Sequence, residues 1–133
     1  MSSYHRLMDL AVRSVVETEK KAVIVDGLSR LDPYLAVRVC KMYGLDEREV
    51  LDSIKGARGF TAYQICELLD RLDREFAGGD YSYLGVTGFD QRFSDGEIRG
   101  EEGRWLRVRY MRKMEDMVER HRIYSVYTEG IHG

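Results

Sequence analysis

The chain has 133 residues, with 21 Lys and Arg against 23 Asp and Glu, so its formal net charge is −2 when its three His are neutral. It is not a polycation, and a length near the usual domain size predicts one domain, residues 1–133, around one core. Hydrophobic residues at 44% and charged residues at 33% exclude a disordered tail, and no apolar run is longer than Ala22 to Val25, which is too short to span a bilayer.

The predicted elements alternate between helix and strand. In chain order they are a helix over 3–19, a strand over 22–26, a helix over 33–44, a short helix over 46–54, a strand over 55–59, a helix over 61–76, a strand over 81–88, a long loop over 89–103, a helix over 104–120 and a strand over 123–128. Asp32 with Pro33, Asp46 and Thr61 mark three of the helix starts as N-caps. Such alternation predicts βαβ crossovers, hence a three-layer α/β fold whose four-stranded parallel sheet carries helices on both faces.

The cysteines and histidines show no metal-binding or disulfide pattern. Cys40 and Cys66 lie inside amphipathic stretches, and there is no Cys-x-x-Cys pair. We therefore expect core thiols in a reducing compartment. His5, His121 and His132 are scattered without ligand spacing, so they are expected to be structural or exposed.

Two further sequence features bear on location and packing. The first residues, MSSYHRLMDL, carry charges and lack the apolar core of a secretory signal, which predicts a cytoplasmic protein. Met111, Met114, Met117 and Val118 are expected to pack against the sheet, with partner binding as the alternative.

The segment from Arg92 to Arg122 holds nine of the 21 basic residues, with Trp105 and Tyr110 among them. Arginines contact phosphates and aromatics stack on single-stranded bases, so one interpretation is a nucleic-acid surface. Seven acidic residues share the segment, and the alternative is a solvated helix face with ion pairs such as Arg112 with Asp116.

Asp26 is the strongest carboxylate candidate, because it ends a buried strand, where an α/β fold places its ligands. The favoured alternative is that Asp26 forms a turn with Gly27.

The stretch from Ala22 to Leu69 reads AVIVDGLSRLDPYLAVRVCKMYGLDEREVLDSIKGARGFTAYQICELL. It resembles the ATPase core of the RecA/RadA recombinase family after the phosphate-binding loop, where a strand ends in Asp, proline opens a helix, and a "YGLD…VLD-I" segment precedes an "ARxF" turn. Tyr81 to Val86 resembles the Walker B strand, and Ile123 to Glu129 the strand leading to the second DNA-binding loop. The resemblance implies a RecA-like core with strand order 2-1-3-4.

Arg99-Gly100-Glu101, together with Arg104, resembles the first DNA-binding loop of that family. The resemblance implies that Arg99, Gly100, Arg104 and the nearby Arg107 form a DNA-binding site.

The departures from the family predict a pseudo-ATPase. The 133 residues contain no GxxxxGK[ST] loop, so the backbone cradle and lysine for the phosphates are missing, as if that loop and its strand had been removed before the first helix. Leu28 stands where the family has its catalytic glutamate, and Thr87 where the Walker B strand ends in the magnesium-side aspartate. We therefore expect no ATPase activity and no cofactor.

The missing strand would have lain against the last strand of the chain, which predicts an open sheet edge at residues 123–128. Tyr124, Ser125, Val126 and Tyr127 include neither Lys nor Pro, the residues that commonly protect such an edge. We expect a second copy of the chain or the N-terminal segment to close it.

The sequence therefore predicts a non-catalytic RecA/RadA-like accessory protein of DNA recombination or repair, which binds single-stranded DNA, a RadA-type recombinase or itself. The alternative is a self-associating scaffold or regulator on a degenerate RecA fold with no DNA role. A third interpretation is an enzyme with new chemistry around Asp26, Thr87 and Glu129, but no base, nucleophile and orienting group are visible together.

Overall fold

The computed structural model describes residues 3–94 and 98–128, which form six helices around a four-stranded sheet. The elements are α1 (Ser3–Thr18), β1 (Lys21–Asp26), α2 (Pro33–Met42), α3 (Glu47–Leu51), β2 (Ile54–Arg58), α4 (Ala62–Phe76), β3 (Tyr81–Thr87), α5 (Phe89–Phe93), α6 (Gly100–Arg120) and β4 (Tyr124–Thr128). All strand pairs are parallel, and their order is β2-β1-β3-β4. The predicted three-layer α/β fold and strand order are confirmed.

The sheet separates two apolar clusters. Alternate side chains of β1 point to opposite faces, so that Val23 and Val25 pack with α4, α5 and α6, whereas Ala22 and Ile24 pack with α1, α2 and α3. A single core was expected, but a sheet covered on both faces divides it. The same geometry explains the continuous apolar run of β1.

The helix α1 lies close against β3. A Cβ atom at Gly85 would come within 2.8 Å of the Leu7 side chain, so glycine allows this approach. The buried Tyr83 hydroxyl donates to the Leu7 carbonyl oxygen at 2.8 Å and joins the two elements.

Three helices begin where the sequence predicts N-caps. The Asp32 carboxylate accepts from the Tyr34 N–H at 2.9 Å, and Pro33 is the first residue of α2. The Asp46 side chain caps α3, and the Thr61 side chain caps α4. These starts follow from local hydrogen bonding, which is why the sequence reveals them.

The predicted loop over 89–103 is wrong at both ends. Residues 89–93 form α5, whose Phe89 and Phe93 rings are buried with their centroids 4.7 Å apart. The helix α6 begins at Gly100 rather than Arg104. A Cβ atom at Gly103 would overlap the carbonyl oxygen of Phe93, so this glycine serves close helix packing instead of a loop. Residues 95–97 of the predicted loop lie outside the described residues.

Within residues 3–94 and 98–128, no helix is both long enough and apolar enough to cross a membrane.

Candidate functional site

The carboxyl ends of β1 and β3 lie side by side at the centre of the sheet. Asp26 ends β1, Thr87 ends β3, and the two residues are direct partners in the parallel register. Both are fully buried. Because α/β sheets bind ligands at the carboxyl ends of their strands, this is the position where the sequence places a candidate site.

The Asp26 carboxylate accepts four hydrogen bonds from the chain itself. Its Oδ1 accepts from the Thr87 hydroxyl at 2.8 Å, the Leu28 N–H at 3.2 Å and the Tyr4 hydroxyl at 3.4 Å. Its Oδ2 accepts from the Leu31 N–H at 2.8 Å. The carboxylate therefore holds the 27–31 turn and ties it to α1 and β3, in agreement with the turn-forming interpretation.

The Thr87 hydroxyl both donates and accepts a hydrogen bond. It donates to Asp26 and accepts from the Gly27 N–H at 3.2 Å. Burial raises the pKa of Tyr4. A hydrogen bond with Thr87 acts to lower this pKa, and the negative charge of Asp26 acts to raise it further. The Tyr4 phenol thus remains a protonated donor near neutral pH.

The Leu28 side chain covers the end of β3. A Cβ atom at Gly88 would lie 2.6 Å from the Leu28 Cγ, and Gly88 has a φ of +67°, so only glycine fits beneath this leucine. A small cavity of about 290 Å³ lies beside the site, lined by Asp26, Leu31, Pro33 and the end of β2. Glu129, the third residue of the enzyme interpretation, lies outside the described residues.

The predicted DNA-binding residues lie at the start of α6 rather than on a loop. Arg99 is the N-cap, Gly100 is the first helical residue, and Arg104 is exposed one turn later. Arg107 instead forms an ion pair with Asp90 of α5, its Nε lying 2.5 Å from the carboxylate oxygen. The structure therefore brings Arg99, Gly100 and Arg104 together on the surface and ties Arg107 to α5.

The edge strand β4 has one sheet neighbour, β3, among the described residues. Tyr124 is 59% exposed and Tyr127 50% exposed on opposite faces of the strand. Residues 3–18 form α1 on the face of the sheet and add no strand to this edge, so closure by that part of the N-terminal segment is wrong.

A family model described as Rad51 matches residues 9–132, and this range includes the whole sheet, the Asp26–Thr87 pair and α6. The chain belongs to the Rad51 family. This match confirms the RecA/RadA resemblance and places the protein among RecA-like proteins of recombination and repair. No curated protein matches the chain.

A polar network between α4 and α6 of this Rad51-family chain was missed by the sequence analysis. The Asp73 carboxylate contacts the His121 Nε2 at 2.8 Å, a guanidinium nitrogen of Arg120 at 3.1 Å and the Lys113 Nζ at 3.8 Å. Burial acts to raise the pKa of Asp73, but the hydrogen bonds from His121 and Arg120 and the charges of Arg120 and Lys113 outweigh it and hold the pKa below its ordinary value.

The predicted pairing of Arg112 with Asp116 is wrong, because Asp116 pairs with Arg120 at 2.8 Å. Both pairings have helical i,i+4 spacing, so the sequence alone could not choose between them. Arg120 also reaches Asp73 on α4, and this second contact fixes its position beside Asp116.

The thiols and methionines of the Rad51-family fold lie in its apolar clusters. Cys40 and Cys66 are buried and free, and burial raises the pKa of both thiols, that of Cys66 to about 11. Met114 and Met117 are buried against the sheet, which confirms the packing prediction. His132 lies outside the described residues. Among the residues that the structure describes, no three metal-ligating side chains form a cluster.

Proposed function

We propose that this protein is a pseudo-ATPase of the Rad51 family, an accessory protein of DNA recombination or repair that works by association rather than by catalysis. The observation that carries the proposal is the closed hydrogen-bond network of Asp26 and Thr87 beneath Leu28.

Phosphoryl transfer needs a phosphate cradle, a carboxylate near the magnesium ion and a group that activates the nucleophile. By resemblance the last two belong at Thr87 and Leu28. Leucine has no atom that can accept a proton, and the Thr87 hydroxyl is already bonded to Asp26 and Gly27. The 133 residues also contain no GxxxxGK[ST] sequence.

Calorimetric titration with MgATP, together with phosphate release measured with and without single-stranded DNA, tests the catalytic part of the proposal. We expect no heat of binding and no phosphate release above the background of a buffer blank. A saturable MgATP isotherm, or DNA-stimulated release that grows with protein concentration, would overturn it.

Association is supported by the open edge at β4. Gly88 donates its N–H to the Thr128 carbonyl oxygen at 2.9 Å, so the backbone groups of Thr128 point toward β3. The direction alternates along a strand, and the N–H and C=O groups of Ser125 and Tyr127 therefore point to the open side. A second copy of the chain or a recombinase partner could pair with them.

DNA binding is supported by Arg99 and Arg104. Both are exposed, and neither forms an ion pair with a carboxylate within residues 3–94 and 98–128. Because Arg107 is tied to Asp90, we assign it a supporting part in holding α6 against α5.

Fluorescence anisotropy of a labelled single-stranded oligonucleotide tests this site. If the protein binds, the Arg99→Ala, Arg104→Ala double variant should weaken affinity and reduce the salt slope by about 1.4, since each phosphate contact on a single strand contributes roughly 0.7. Arg48→Ala, on the opposite layer, is the matched control. An unchanged slope in the double variant rejects the site.

The alternative, a self-associating scaffold or regulator without a DNA role, makes a different prediction for the same titration. In that case wild-type protein shows no salt-dependent oligonucleotide binding, although it still associates with itself.

A further inference from the structure

A groove on the outer face of α6 lies beside the proposed DNA-binding residues and shares Arg104 with them. Trp105, Val108, Arg109 and Arg112 follow the spacing i, i+3, i+4, i+7, so they lie on one side of the helix. With Arg104 at one end they line an open groove of about 750 Å³, here called the Trp105 groove.

The floor of the Trp105 groove is apolar and exposed. Trp105 is 59% exposed and Val108 45% exposed, although both are large apolar side chains. The Arg109 guanidinium lies 5.2 Å from the centre of the Trp105 ring, a cation–π contact that restrains the indole. Tryptophan and arginine are the side chains that most often dominate binding energy at interfaces.

The walls of the groove carry positive charge that the described part of the chain does not neutralise. Arg104, Arg109 and Arg112 form no ion pair with any carboxylate in residues 3–94 and 98–128. Other basic residues of the same helix are paired, Arg107 with Asp90 and Arg120 with Asp73. This contrast marks the groove as an electrostatic feature that an anionic partner would complement.

We infer that the Trp105 groove docks an acidic protein segment that carries one apolar side chain. Its carboxylates would bind the arginine guanidinium groups, which suit bidentate contacts, and its apolar side chain would pack on Trp105 and Val108. The groove runs from Arg104 to Arg112, about 12 Å along the helix, the length of about four extended residues or two helical turns.

The shape and chemistry of the groove favour a protein segment over single-stranded nucleic acid. Single-strand platforms combine successive aromatic side chains with a continuous basic track. Here one aromatic ring is present, and Arg109 already lies over it. Exposed carboxylates, Glu101 and Glu115, lie about one turn beyond the two ends and would repel a continuing phosphate backbone.

Trp105 is the only tryptophan in the chain, so its fluorescence reports directly on the groove. The probe is a six-residue peptide rich in Asp and Glu around a single central Leu, compared with the same peptide carrying Asn and Gln in their place. We expect the acidic peptide to shift Trp105 emission to shorter wavelength in a saturable manner, and the neutral peptide to have little effect.

Variants separate this site from the DNA site. The Arg109→Ala, Arg112→Ala double variant should bind the labelled acidic peptide at least about tenfold more weakly, because two charge-assisted contacts are lost. Arg48→Ala and Arg99→Ala, at residues outside the groove, should retain most of the affinity, and melting temperatures check that each variant folds.

Equal binding of both peptides, no binding of the acidic one, or unchanged affinity in the Arg109→Ala, Arg112→Ala variant would overturn the inference. A fourth result would also overturn it: the variant abolishes oligonucleotide binding, and the acidic peptide leaves the Trp105 emission of the wild-type protein unaltered. The groove would then be a nucleic-acid surface. The inference does not depend on whether the protein hydrolyses ATP.

Discussion

Asp26 illustrates how hydrogen bonds accommodate a buried carboxylate. Its oxygens accept from two hydroxyl groups and two backbone N–H groups, and these donors replace the water that burial removes. Leaving such buried donors without an acceptor costs about 1–3 kcal/mol each. Asp26 therefore has a structural role in the turn at the end of β1.

Thr87→Asp is predicted to destabilise the protein. The Thr87 hydroxyl lies 2.8 Å from the Asp26 carboxylate, so an aspartate there would place two carboxylates together in a buried site. Uncompensated buried charge costs about 3–5 kcal/mol, and urea unfolding should show a loss of this order.

Thr87→Ser is the matched control, because it keeps the hydroxyl and should change stability far less. Adding Mg²⁺ should not restore the stability of Thr87→Asp. Recovery with Mg²⁺ would show that the sheet end can bind a metal, and the pseudo-ATPase proposal would lose its main support.

The sequence, together with the family resemblance, is enough to select Leu28 and Thr87 as residues of the candidate site. It does not predict their surroundings, because the Thr87 hydrogen bonds depend on the register that places β3 beside β1 across 61 residues of chain. Tyr4 reaches Asp26 from α1, and no local motif predicts its approach.

The helix α6 shows how tertiary contacts override local preference. Glycine weakens a helix by about 1 kcal/mol relative to alanine, so Gly100 and Gly103 point to a loop when read alone. Packing against α5 outweighs this preference for a loop, because Gly103 fits where a side chain would clash with the Phe93 carbonyl oxygen. The later part of α6, with its periodic methionines, is predictable from its pattern.

The pairing of α4 with α6 predicts a pH-dependent contribution from Asp73. Its pKa lies below the ordinary value of 3.8, so the native state favours the charged carboxylate. The resulting stability is present above the unfolded-state pKa and is lost as the pH falls through the folded-state value. Asp73→Asn should therefore cost about 1 kcal/mol at pH 7, and this cost should shrink as the pH falls below 3.8.

Urea unfolding of both proteins at several pH values measures this difference. Asp116→Asn is the control on the same network: its carboxylate pairs with Arg120 and is 66% exposed, so its effect should be smaller. A loss for Asp73→Asn that stays constant between pH 7 and pH 3 would contradict the assignment.

The strand β4 lies at the edge of the sheet. Among the described residues it pairs with β3 on one side and with no strand on the other. Edge strands with exposed apolar residues tend to recruit another strand. Tyr124 and Tyr127 extend from the two faces of β4, and the Ser125 backbone points away from β3. The proposed association would use main-chain hydrogen bonds, which accept strands of varied sequence.

Ser125→Pro is predicted to reduce association without unfolding the protein. Proline removes an N–H that points to the open side and leaves the β3–β4 hydrogen bonds intact. Light scattering across a range of concentrations should show a wild-type mass above that of one 15.5 kDa chain and a monomeric variant.

Val126→Pro is the matched control, because the backbone of Val126 points toward β3 and its N–H belongs to the existing ladder. This variant should lower the melting temperature, whereas Ser125→Pro should leave it nearly unchanged. A wild-type protein that is monomeric at all concentrations would refute association through the edge.

The sequence by itself determined the alternation of helices and strands, the burial of β1 on both faces and the N-caps at Asp32, Asp46 and Thr61. Each depends on residue spacing or on hydrogen bonds within a few positions, so it can be read locally. Together with the family resemblance, these features yielded the parallel sheet and its order, as well as Leu28 and Thr87 at the site.

Only the tertiary structure decided where α6 begins, which carboxylate each arginine contacts and how the end of β1 is closed. Gly103 is helical because α5 is close, Arg107 is held by Asp90, and Asp26 accepts hydrogen bonds from the distant Tyr4 and Thr87. These outcomes depend on which residues meet in space, and sequence spacing does not contain that information.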